Sequence, residues 1–180
     1  KVSWKPGLVA RTAIQESSYT IEDSSAISME LAERLSVPIS DKKPVVIRFD
    51  QSVTGLVKVG DKVELDTALC VIEDDYISRG NLFSDISEEQ LRYMQAEVPR
   101  AGKVGVVERV EVFYHGDTDD MSDSLRAIAL ASDRRRKSLA KEMGKQYISG
   151  KVDQSLRIRG EGLELNQAVV FVYITYMEGF

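Results

Sequence analysis

Ala168-Val169-Val170-Phe171-Val172-Tyr173-Ile174-Thr175-Tyr176 is the stretch on which the fold turns. β-Branched and aromatic residues dominate it, and the run is too dense to alternate between a wet and a dry face. It therefore reads as a central β-strand buried on both sides. At about half the length of a membrane span, it does not read as a transmembrane helix. Just upstream, Ser155 to Arg159 and a Gly160-Glu161-Gly162 turn lead into it.

A central strand needs neighbours, and the sequence offers several. Gly7 to Ile14 alternates as a strand does, and Pro44 to Phe49 and Val53 to Val59 read as strands joined by an Asp50-Gln51-Ser52 turn. Val57 to Ile72 reads as short strands punctuated by tight turns at Gly60-Asp61 and Asp66-Thr67, with Gly60 free to take positive φ. Gly102 to Phe113 has the same flavour. The two halves suggest a small β sandwich or barrel-sandwich, with Glu73 to Arg100 as an excursion between them.

Helical signals are few. Ile27, Leu31 and Leu35 recur at helical spacing, Asp23 or Ser24 offers a cap, and Pro38 stops the run, which predicts a helix over about 25–36. Within the excursion, Ser87 and Gln90 form a capping box, with Ile86 and Leu91 at staple positions. From Ser122 to Lys145 the chain reads as one helix, closed by Gly144. That segment holds seven Lys/Arg and three Asp/Glu, a balance of +4 in a chain of net charge −5, so the remainder carries −9. At its centre are Arg134, Arg135, Arg136 and Lys137. Such a run is ordinarily a solvated face, and contact with nucleic-acid phosphate is its functional competitor.

Composition excludes several chemistries. The 180 residues are 43% hydrophobic and 29% charged, enough for one or two compact domains. The acidic balance rules out an overall basic coat for nucleic acid. One cysteine, Cys70, excludes an internal disulfide framework, and one histidine, His115, argues against serine or cysteine triads and multi-histidine metal sites. Neither a phosphate-cradling glycine loop with its lysine nor a nucleophile elbow is present. Glu73-Asp74-Asp75 and Asp117 to Asp120 lack calcium-loop spacing and read as solvated turns. The chain opens on Lys1 rather than Met, without a recognisable signal peptide; a piece or processed product of a cytoplasmic protein is expected. Glu22-Asp23, placed before a helix, is explained by capping and the helix dipole alone.

Taken in order, the segments resemble the β subunit of multisubunit DNA-directed RNA polymerases. Tyr19-Thr20-Ile21-Glu22-Asp23-Ser24-Ser25-Ala26-Ile27-Ser28 with Glu33-Arg34-Leu35 is similar to the stretch where a Phe-Glu-Asp motif opens a short helix, and Trp4 to Ile14 to the strand before it. Val57 to Ile72 resembles the base of that family's flap, and Leu82 to Met94 falls where the flap tip would be. Ala96 to Phe113 and Tyr114-His115-Gly116-Asp117 resemble the return strand and its turn, and Gln167 to Tyr176 resembles the strand that leads into the family's active-site lysine segment. Ile21 stands where the family carries an aromatic, and the flap is short. Those departures suit a divergent phage or viral enzyme.

The resemblance implies a β-rich α+β fold: part of a double-psi β barrel with an inserted barrel-sandwich-like flap module and two or three helices. Residues 1–50 would be the first part of the barrel, 51–117 the flap with a tip helix at 87–95, 118–150 a basic helical segment, and 151–180 the return strand. Glu22 and Asp23 would support catalysis near the Mg²⁺ that arrives with the nucleotide, the ions being held mainly by another, β′-like subunit. Leu82, Phe83, Leu91 and Met94 would dock an initiation factor, and Arg134 to Lys137 would touch DNA template or RNA. The piece alone would be inactive and cytoplasmic (the host's cytoplasm, if phage-encoded), away from membranes. Two other classes compete. One is a non-enzymatic β-rich interaction or scaffold module. The other is a biotinyl/lipoyl-type barrel-sandwich hybrid in a carrier or export-pump adaptor; it lacks an exposed Met-Lys-Met or Asp-Lys-Ala hairpin and has too short an excursion for a coiled coil.

Overall fold

The computed structural model describes residues 7–14, 26–74, 96–153, 157–158 and 161–178. Eight strands follow in chain order: β1 (Val37–Arg48), β2 (Gln51–Thr54), β3 (Lys62–Val63), β4 (Val71–Asp74), β5 (Gly105–His115), β6 (Arg157–Ile158), β7 (Glu161–Gly162) and β8 (Gln167–Glu178). Helix α1 (Met29–Leu35) precedes β1, and α2 (Asp123–Glu142) follows β5 after a 3-10 turn at Thr118–Asp120. The protein is β-rich α+β, and its main sheet is a curled half-barrel in the order β1-β8-β5-β3. By contacts the chain divides into two units, one of residues 1–39 with 176–180 and one of residues 40–175.

β8 sits between β1 and β5 and is buried continuously from Ala168 to Val172. Ala168, Val170, Val172 and Ile174 face the main core with Val45, Ile47, Val107, Val112 and Leu125. Val169 and Phe171 face a second cluster with Leu163, against which Phe113, Val152 and Tyr173 pack. Both faces are dry, as the density of the run implies. β5 pairs antiparallel with β8 from Val106↔Thr175 to His115↔Gln167, with a register shift between Val107 and Arg109. A bulge of that kind sharpens local twist and helps the sheet curl.

β1 starts earlier than its sequence suggests, at Val37 rather than Pro44, and contains both Pro38 and Pro44. Proline removes a ladder donor, so a strand holding two of them belongs at an edge, where β1 lies. Gly7 to Ile14, expected as a strand, is exposed and in no strand. The expected strand over Val53–Val59 is instead β2, Gln51–Thr54, paired antiparallel with β4. Beyond it the backbone is irregular, although Val57 N–H still donates to Leu69 C=O at 2.9 Å. Gly60 turns the chain at φ 96°.

The two β halves meet where Lys62 and Val63 pair with Val106 and Gly105, and the end of the intervening excursion zips onto the first half. Leu69 N–H donates to Pro99 C=O, Ala101 N–H to Thr67 C=O and Gly102 N–H to Leu65 C=O, while Ile72 and Glu97 exchange both bonds. Residues 51–74 and 96–104 thus form one small β lobe between β1 and β5. Its Val53, Val63, Leu69, Cys70, Ile72 and Ala101 belong to the same core as the main sheet. Burial, with the nearby Glu97 charge second, pushes the Cys70 thiol up to about 11. The tip helix expected at 87–95 lies outside the described residues.

Helix α1 is shorter than the expected 25–36. Ser28 is its N-cap, its Oγ accepting from Leu31 N–H at 3.2 Å, so helical structure starts at Met29. Ser36 is already extended, and Pro38 disfavours helix at Val37. The expected Glu30–Arg34 pair forms at 4.0 Å on the exposed surface, where it contributes little stability.

Candidate functional site

Glu22 and Asp23, and the apolar set Leu82, Phe83, Leu91 and Met94, lie outside the described residues. The sequence-derived candidates that the structure places are the four cations on α2. They are built outward from the helix's attachment to the sheet.

The helix begins with Ser122 as N-cap, accepting from Leu125 N–H and donating to Gln51 C=O at 2.6 Å. Ser124 Oγ accepts from Val53 N–H at 2.9 Å, so the first turn is stitched to β2. The middle is stitched to β5. Ser132 Oγ accepts from Val112 N–H at 3.0 Å, and the Arg136 guanidinium donates to Val112 C=O. These side chains satisfy the edge of β5 where β3 no longer runs beside it. At the far end Lys145 N–H bonds Ala140 C=O and Gly144 N–H bonds Lys141 C=O, a Schellman closure at the glycine that the sequence marks.

Asp133 is the centre of this attachment. Its carboxylate accepts from Arg136 at 3.2 Å, from Gly150 N–H at 2.8 Å and from Tyr114 Oη at 3.1 Å. Burial, then the Asp133 charge, push the Tyr114 phenol up to about 12. Arg136 also stacks over Phe113 with its guanidinium carbon 4.1 Å from the ring centroid. Close packing explains Gly150: a Cβ there would come within 2.8 Å of both Arg136 Nη1 and Asp133 Oδ1.

The four cations therefore divide. Arg136 turns inward, only 12% of its side chain exposed, and its Nη1 and Nη2 donors serve the protein itself, while its buried Nε meets no acceptor among the described residues. It is withdrawn from the expected phosphate-contacting set. Arg134, Arg135 and Lys137 are exposed. The inward role of Asp133 and Ser132 is missed by a reading of charge alone. Its available signal is the spacing: Ser132 and Asp133 lie four and three residues before Arg136, one helix turn away.

Other polar groupings are structural. Arg48 bonds Asp50 at 3.2 Å and Asp74 at 2.7 Å, and Gln51 joins Asp74 at 2.8 Å, which occupies the middle carboxylate of the first acidic run. Lys151 pairs with Asp117 of the second at 2.5 Å, which lowers the carboxyl pKa. Glu108 accepts from Thr175 at 2.7 Å and Ser40 at 3.0 Å, tying three strands together and holding its own carboxyl below the usual range. An open cleft of about 350 Å³ is lined by Asp50, Asp120 and Glu164 with Arg48, Phe49 and Asn166, so its charge is acidic on balance. Among the described residues no group of three or more His, Cys, Asp or Glu could hold a metal ion, and no helix is long and apolar enough to cross a membrane.

No protein-family model matches the chain, and no curated protein matches it in sequence.

Proposed function

We propose that the chain is a slice of a β-like large subunit of a multisubunit DNA-dependent RNA polymerase, of a divergent phage or viral kind. One observation carries the reading. The early strand β1 and the late strand β8 are neighbours in one sheet, and the chain between them folds a small β lobe, joined to that sheet through β3 and a shared core, before β5 returns to pair with β8. A barrel interrupted by a flap requires such a pairing of early and late segments, and here β1 makes it, since Gly7 to Ile14, the opening strand of the resemblance, lies in no strand. The order of the motifs from Tyr19 to Tyr176 supports it further. In this account the sheet is part of a double-psi barrel, and the β lobe is the flap's base, facing the RNA exit path.

Glu22 and Asp23 then act near the nucleotide, through water, on a Mg²⁺ that a β′-like partner subunit mainly holds. Such ions stabilise charge on the transferring phosphoryl group. The apolar residues Leu82, Phe83, Leu91 and Met94 anchor an initiation factor at the flap tip. The assembled enzyme tests this directly. Glu22→Ala with Asp23→Ala lowers the elongation rate at saturating nucleotide without loss of assembly; unchanged elongation removes the pair from the active site.

A further inference from the structure

We infer that Arg134, Lys137 and Lys141 form a track for consecutive phosphates along one strand of a nucleic-acid duplex. The inference rests on the reading above for the partner's identity, and on the geometry of α2 for the site.

The rotation of α2 is fixed. Leu125 and Ala129 are buried, while Ser132, Asp133 and Arg136 bond β5 and Gly150, which together define the inner face. At about 100° per residue, Arg134, Lys137 and Lys141 fall within a sector about 60° wide on the opposite side. The ion pairs of this helix are Arg126–Asp123 and Arg136–Asp133; among the described residues none involves the three outward cations. Like charges one turn apart destabilise a helix, so the stripe costs stability unless an anion meets it. From Arg134 to Lys141 the axial span is about 10 Å. One strand of a duplex presents a phosphate roughly every 3.4 Å of axis, so that span covers about four phosphates, enough for each cation to meet one.

A lipid surface is the competing polyanion. A helix lying on a bilayer must offer its apolar face to the acyl region, opposite the basic one. Here β5 occupies that opposite face as far as Arg136, which leaves Leu139 and Met143 as a short apolar edge rather than an insertable side.

The test is the salt dependence of binding by the full chain, measured by fluorescence anisotropy with a duplex DNA, an RNA–DNA hybrid and a single-stranded RNA of one sequence. Replacing Arg134, Lys137 and Lys141 together with Gln should lower the slope of log K against log salt by about 2 to 3 on a duplex, and each single replacement by about 0.9. Removing equal charge at Lys58, Lys62 and Lys103 should leave the slope within about 0.5 of the unaltered chain's, well inside one contact's worth. Circular dichroism checks folding, and the single variants carry the test if the triple variant unfolds. Equal slope losses for the two triples overturn the track. So does preference for single-stranded RNA, or binding to phosphatidylserine vesicles in place of duplex. RNA synthesis by the assembled enzyme is scored separately: duplex binding through these residues in a chain that joins no RNA-making assembly keeps the track and ends the polymerase reading.

Discussion

At the residue scale, Asp133 and Arg136 sit inside a run of cations yet work inward, joining α2 to β5 and to Gly150. Removing the acid leaves a mostly buried guanidinium without its counter-charge, and breaking such a pair is costly. Asp133→Ala should lower stability by about 2–4 kcal/mol in a urea titration, while Arg135→Ala should stay within about 0.5 kcal/mol. The same contact has a pH signature. Tyr114 is raised from 10.0 to about 12 in the fold, so the folded state holds its proton where the unfolded chain has lost it. Stability is complete below pH 10 and falls as pH rises toward about 12. Tyr114→Phe should flatten that part of the profile, which a melting series at rising pH reads directly. Cys70, raised from 9.0 to about 11, adds an earlier alkaline loss that Cys70→Ala should remove. None of this was legible beforehand, because Val112 and Gly150 are far from Asp133 in sequence and charge pattern alone carries no tertiary partner.

At the scale of elements, α2 and β8 were the most legible. Closure at Gly144 agrees with the helix read over 122–145, and an apolar run from Ala168 gave a strand with two dry faces. The misjudged boundaries have local causes. β1 tolerates Pro38 because it is an edge strand, and α1 starts late because Ser28 supplies the cap. Helix α2 is also uneven along its length: Leu125 is fully buried, whereas Leu139 and Met143 on the same side are 39% and 59% exposed. Leu125→Ala should therefore cost about 2–5 kcal/mol, and Leu139→Ala clearly less. Hydrogen exchange should follow the same gradient, slowest near Leu125 and Ala129 and fastest in the last turns.

For the whole molecule, the sequence conveyed class and order better than closure. Two β halves separated by an excursion were readable from turn chemistry. That they pair at Lys62↔Val106 and Val63↔Gly105, and that the excursion's end joins the first half through Leu69, Ile72, Glu97 and Ala101, are long-range facts that periodicity does not encode. The adjacency of β1 and β8 is of the same kind, and the polymerase account leans on it most heavily. The most direct measurement is to tag this chain in its native source, isolate the assembly under gentle conditions and assay it for Mg²⁺-dependent RNA synthesis on DNA. The account predicts copurification with a second large subunit bearing an aspartate-rich metal loop, and RNA synthesis that is lost when that loop's aspartates are replaced. An assembly that contains this chain but no such subunit, and makes no RNA, would contradict it.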